Sequence, residues 1–170
     1  MKNFRINILG VVALGLLSLT SCKDDKKVEG EDTIVVTEDV VTPAEMGTIE
    51  VTLNSDDAMK FDTSEIKVKE GQTVILTLNH TGKLPEAAMG HNFVLLKQGV
   101  VMADFATAAI AAKDNEYIPN DGKDVIAHTE TIGGGESTKI TFTAPAKGTY
   151  DFLCTFPGHY SMMNGKFIVE

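Results

Sequence analysis

From Thr48 onwards, apolar and polar residues alternate with a period of two. Ile49, Val51 and Leu53 fall on one side, and Thr48, Glu50 and Thr52 on the other, which predicts a strand with one buried face. Seven further segments read the same way: 65–69, 73–79, 92–96, 125–131, 138–143, 149–154 and 166–169. Turn residues separate them, namely Glu70-Gly71, His80-Thr81-Gly82, Gly133-Gly134-Gly135, the stretch 145–148, and Asn164-Gly165. About eight short strands punctuated like this predict an all-β fold, a Greek-key β-sandwich or barrel. One insertion breaks the rhythm. Residues 101–113 are rich in Ala and Met, with apolar positions at 101, 102, 105, 109 and 112, spacing that predicts a short helical flap between strands.

The first part of the chain follows a different pattern. Residues 1–7 carry Lys2 and Arg5 and no acid, and residues 8–17 form a ten-residue apolar run. That run suits the core of a signal peptide and is too short to span a bilayer. Leu19-Thr20-Ser21-Cys22 comes next and resembles the lipobox of bacterial lipoproteins; the alternative is an ordinary signal peptide with an incidental cysteine. The resemblance implies a signal peptide over 1–21, a lipidated Cys22, and export to a membrane surface facing the periplasm or the cell exterior. Lys23-Asp24-Asp25, directly behind, is similar to acidic tags that send some Gram-negative lipoproteins to the cell surface. Residues 22–45 read as a flexible tether, since 11 of residues 23–45 are charged and none is aromatic. Residues 46–170 are then the folded domain.

Composition narrows the partners. A chain of 170 residues is about one domain with tails. Its net charge of −9 becomes −11 once Lys2 and Arg5 leave with the signal peptide, which excludes the basic footprint of a nucleic-acid binder. There are two cysteines. If Cys22 carries lipid, Cys154 has no disulfide partner and needs another role.

The segment Cys154-Thr155-Phe156-Pro157-Gly158-His159-Tyr160-Ser161-Met162-Met163 supplies that role. It places a thiol, an imidazole and thioethers within ten residues, and Met89-Gly90-His91-Asn92 offers a second imidazole upstream. Each of these residues alone reads as core filling. Together, soft sulfur ligands with imidazole suit copper cycling between Cu(I) and Cu(II), and two His, one Cys and a distant Met describe a blue-copper site.

These motifs, with Asn79-His80-Thr81-Gly82, Leu84-Pro85, Val125-Ile126-Ala127-His128-Thr129, Ile132-Gly133 and Met163-Asn164-Gly165, resemble the azurins of the cupredoxin family over about residues 47–170. The resemblance implies a cupredoxin-like fold holding one copper ion. His91, Cys154 and His159 would be equatorial ligands, Met163 the axial one, and the Gly90 carbonyl a distant contact. Asn92 would pin the ligand loop, and the N–H groups of Asn92 and Phe156 would donate to the Cys154 sulfur. His80 resembles a buried histidine beside the site that is not a ligand, and His128 reads as a surface residue. Two departures stand out: azurins usually carry a disulfide near the start of the domain, for which this chain has no cysteines, and Phe93 stands where a Trp is common.

The function implied is one-electron transfer between redox proteins, such as c-type cytochromes or terminal reductases and oxidases. Contacts would be transient, with no small-molecule substrate and no enzymatic step. The exit would lie at His159, within an apolar rim of Met59, Leu84, Met89, Phe156, Pro157 and Met162. A copper carrier or storage protein is the alternative. A copper oxidase or reductase would need a second metal with its own histidines, and only His80 and His128 remain.

Overall fold

The computed structural model describes residues 47–170. The proposed signal peptide, Cys22 and the tether lie outside the described residues. Nine strands pack as two sheets: β1 (Thr48–Asp56), β2 (Lys60–Phe61), β3 (Glu65–Val68), β4 (Thr73–His80), β5 (Val94–Leu96), β6 (Val125–His128), β7 (Ser137–Thr143), β8 (Gly148–Leu153) and β9 (Asn164–Val169). One sheet runs β2-β1-β4-β7 and the other β3-β9-β8-β5-β6, so the fold is an open sandwich and not a closed barrel. Two pairs are parallel, β1 with β4 and β3 with β9. Parallel neighbours need crossovers, and here the chain leaves one sheet for the other between them, as in Greek-key sandwiches.

Alternation explains the core. Leu53, Val74, Leu76 and Leu78 from the first sheet meet Ile66, Val68, Phe93, Leu95, Phe152 and Phe167 from the second, all at most 5% exposed. Each such side chain contributes about 1.5–3 kcal/mol by leaving water. In β5 the alternation disappears, because Phe93-Val94-Leu95-Leu96 is buried throughout. The flap is the reason. Its helix, α2 (Met102–Ala109), sets Phe105 and Ala106 against Val94, Leu96 and Leu153 on the outer face of the second sheet.

Several boundaries differ from those expected. The ninth strand, β2, has only two residues, too few to show a period; it pairs Ser55 with Phe61 and Asp56 with Lys60. The strand expected over 92–96 begins at Val94, because His91 forms an isolated bridge to Ile132 and Asn92 turns its amide elsewhere. The helix expected over 101–113 is α-helical only to Ala109, then tightens to a 3₁₀ segment, Ile110–Asn115, and Val101 is 59% exposed. A single helical turn, α1 (Glu86–Met89), lay outside the expected set.

Candidate metal centre

Strand β8 ends at Leu153, and Cys154 follows it directly. The Cys154 N–H donates to the Met163 carbonyl at 2.9 Å, closing the loop 155–162 at its neck. Inside the loop, His159 N–H donates to Phe156 O at 3.0 Å, while Met162 and Met163 N–H both donate to His159 O at 3.0 and 2.9 Å. Gly158, at φ +86°, makes the turn that an L side chain would resist. β8 and β9 are antiparallel partners, so this loop is the tip of a hairpin. His91 arrives from the neighbouring strand, just before β5, whose Val94 pairs with Leu153, and it is held by its paired backbone bonds with Ile132 at 3.0 and 2.9 Å.

These elements bring three donor atoms together. Cys154 Sγ lies 3.9 Å from His91 Nδ1 and 3.7 Å from His159 Nδ1, and the two nitrogens are 3.2 Å apart. His91, Cys154 and His159 are the cluster of potential metal-binding side chains among the described residues. Bonds of about 2.0–2.1 Å to nitrogen and about 2.3 Å to sulfur, as for zinc, give in-plane edges of about 3.6 and 3.8 Å. The observed triangle is that size, so a first-row metal ion fits among the donors.

The tautomer is preset as well. His91 Nε2 lies 2.9 Å from the Asp56 carbonyl, an acceptor only, so the proton belongs on Nε2 and the Nδ1 lone pair faces the cluster. Met163 is fully buried and tied by its backbone to both Cys154 and His159. The Gly90 carbonyl lies 3.9 Å from Sγ. Residue 90 must be glycine: a Cβ there would stand 2.7 Å from the Phe156 ring and 2.8 Å from the Glu86 carbonyl.

Burial sets the protonation states. Desolvation pushes the Cys154 thiol up to about 11, partly offset by the N–H groups of Asn92 and Phe156 that donate to the sulfur. It also lowers His159 to about 4, with the neighbouring His91 adding to the effect, and it lowers His91. Without metal, the centre at neutral pH is therefore a thiol and two neutral imidazoles. Asn92 fastens the loop from the side: its Oδ1 accepts from Thr155 N–H at 2.8 Å, and its Nδ2 donates to Thr155 Oγ1 at 2.8 Å and to Glu116 O at 3.0 Å.

The other residues singled out from the sequence fall in two groups. His80 is buried and stacks on His91 at 4.3 Å, with its Nε2 2.9 Å from the Met89 carbonyl. His128 is exposed on β6. In the apolar rim, Leu84, Pro157 and Met162 are exposed, whereas Met59, Met89 and Phe156 are half-buried. Sequence reasoning missed two supports, one at the last residue of β1 and one directly after it. One is the Asp56 carbonyl, and the other is the Asp57 carboxylate, which accepts from Lys83 and Leu84 N–H at 2.8 and 3.2 Å. A main-chain acceptor leaves no mark in a sequence, but an aspartate at a strand end is a turn signal that could have been read.

Comparison with known proteins settles the family. Residues 47–170 match the model of copper-binding proteins, plastocyanin/azurin family. The chain belongs to that family. Its cofactor is accordingly a single copper ion, and its general role is electron transfer. Within the family, it is 43% identical over 124 residues to outer membrane protein H.8 of Neisseria gonorrhoeae, covering 71% of this chain and 67% of that one. It is 42% identical over 125 residues to azurin of Pseudomonas chlororaphis, covering 71% of this chain and 97% of the relative. Among solved structures, auracyanin A of Chloroflexus aurantiacus, a blue copper protein, superposes with a TM-score of 0.67 at 35% identity, over 73% of this chain and all of that one.

Proposed function

We propose that this family member is an exported, lipid-anchored one-electron carrier whose copper is held by His91, Cys154 and His159. Met163 is the weak fourth ligand, and the Gly90 carbonyl is a distant contact. The observation that carries this reading is the buried triangle of two imidazole nitrogens and a thiol sulfur, 3.2–3.9 Å apart, with the His91 tautomer already set. Copper supplies the change between Cu(I) and Cu(II) when bound. The chain's part is to hold the donors still, and the hairpin neck, the Ile132 bridge and the Asn92 clasp do so without metal. Hydrogen bonds from Asn92 and Phe156 N–H withdraw charge from the sulfur, which favours the reduced state.

Burial separates this reading from a copper store. His91, Cys154 and Met163 are fully buried and His159 is 3% exposed, which suits retention of metal and not its exchange. The surface near the ligand loop offers docking area instead, with Leu84 41% and Met162 61% exposed beside Pro157, Met59, Met89 and Phe156. A small apolar patch favours brief encounters with redox proteins, of the cytochrome c or terminal reductase and oxidase kind, and the His159 ring is the edge it surrounds. No small-molecule substrate and no enzymatic step is invoked. The lipobox-like segment ending at Cys22, and a relative named as an outer membrane protein, support a signal peptide over 1–21, a tether over 22–45 and a domain over 46–170. The deciding experiment is a visible spectrum of the Cu(II) protein. An intense blue thiolate band is expected, and Cys154→Ser should abolish it; a Ser variant that stayed blue would sink the ligand assignment.

A further inference from the structure

The flap ends in an unfavourable conformation. Glu116 (φ 54°, ψ 28°) and Tyr117 (φ 57°) are consecutive non-glycine residues in the left-handed region. Each is held in a backbone region that L residues other than glycine disfavour. Asn120 and Asp121 follow with φ of 55° and 52°. Strain of this kind persists only where surrounding contacts over-determine it.

The contacts of this turn run toward the metal centre. The Glu116 carbonyl accepts from Asn92 Nδ2 at 3.0 Å, and the other hydrogen bonds of the Asn92 amide hold Thr155. The Glu116 carboxylate accepts from Thr131 N–H at 2.7 Å, one residue before the Ile132 bridge that holds His91. Tyr117, 7% exposed, meets the Phe156 ring edge-on at 5.4 Å, and that ring lies 4.8 Å from His159. The two left-handed residues therefore touch the supports of Thr155, Phe156 and His91 at once. The backbone of the turn is itself fixed by Tyr117 N–H to Ala112 O at 3.0 Å and Ile118 N–H to Asn115 O at 2.8 Å.

We infer that Glu116 and Tyr117 are positioning residues for the copper centre, setting the placement of Phe156 and Thr155 on either side of the thiolate's hydrogen bonds. In an ordinary right-handed conformation, residues 116 and 117 could not direct a carbonyl at Asn92 and a ring at Phe156 together. The strain is thus held where it fixes both flanks of the ligand loop. This inference rests on the copper reading above.

The test uses the full-length copper protein with Tyr117→Ala, Tyr117→Phe, Glu116→Ala and Glu116→Gln. Leu76→Ala serves as a control, because it destabilises the core on β4 away from the turn. Tyr117→Ala and Glu116→Ala are expected to shift the blue band, the copper hyperfine splitting and the reduction potential. Tyr117→Phe keeps the ring and Glu116→Gln keeps an acceptor oxygen, so both should restore wild-type values. Leu76→Ala should lower the melting temperature alone. If Tyr117→Ala does not fold, Tyr117→Leu keeps the bulk while losing the ring edge. The metal-free protein adds a separate reading: the Thr155 amide should exchange with solvent at least roughly tenfold faster in the Ala variants. A colourless wild type would overturn the copper reading, while the amide exchange would still judge the turn. Variants that melt earlier but keep the wild-type band, potential and Thr155 exchange would overturn the inference, as would equal shifts in Leu76→Ala.

Discussion

In the proposed ligand set, protons and copper compete for the same three atoms. Below its folded pKa of about 4, His159 becomes charged, whereas in an unfolded chain it would do so near 6.5. The unfolded state therefore binds more protons over that interval. The stability that this neutral imidazole contributes is complete above about pH 6.5 and is lost as pH falls through about 4. His91, also lowered, acts in the same direction. Cys154 runs the other way: raised to about 11, its thiol contributes stability below about pH 9 that is lost as pH rises through 11. Denaturant titrations of the metal-free protein should show a plateau between about pH 6.5 and 9, with a decline on the acid side of at most about 1.4 kcal/mol per pH unit for each histidine. Copper uptake should release nearer one proton than three at pH 7, that of Cys154, and fewer than three at pH 5.5, where His159 is still neutral. Calorimetry in buffers of different ionisation enthalpy measures it, and release approaching three at pH 5.5 would mean that both imidazoles start out charged.

At the scale of elements, the hairpin tip, the His91 bridge and the flap's last turn are fastened through one side chain. Asn92→Ala would leave Thr155 N–H, Thr155 Oγ1 and Glu116 O without their partner, two of them in a buried residue. At about 1–3 kcal/mol for each buried group left unpaired, the loss should be about 2–6 kcal/mol, read from the denaturation midpoint. A variant as stable as the parent would show that water replaces the amide. The sequence pattern located most of the strands well, because a strand with one buried face prints its period on the chain. The candidate donors stood out more plainly still, since Cys154, His159 and Met163 fall within ten residues of one another. What it missed has no period. β2 is two residues long, the burial of Val94 and Leu96 depends on a flap placed by tertiary packing, and the left-handed turn at Glu116 uses residues that favour no such conformation.

For the whole molecule, the question is how it meets partners. Met89→Lys or Met162→Lys places an ammonium in the apolar rim without replacing a ligand. Desolvating it against a partner costs several kcal/mol unless a counter-charge meets it. Self-exchange between two copies, measured at high salt to screen the acidic chain, should slow at least about tenfold, a barrier rise of roughly 1.4 kcal/mol, with the blue band unchanged. An unaltered rate in both variants would place the exit elsewhere. Cys22→Ala should move the protein from the membrane fraction to the soluble one, and equal partitioning of both forms would count against the anchor. One further consequence belongs to the hairpin that carries Cys154, His159 and Met163 within ten residues, while His91 lies 63 residues before the cysteine. Unfolding scatters only that histidine. With the ligands proposed above, the denatured chain keeps a three-donor chelate of its own, and a ligand that also binds the unfolded state stabilises the native one by less than its affinity implies. Copper should therefore raise the midpoint of unfolding by less than its native dissociation constant predicts, and the metal should stay with the chain well after the sandwich has come apart.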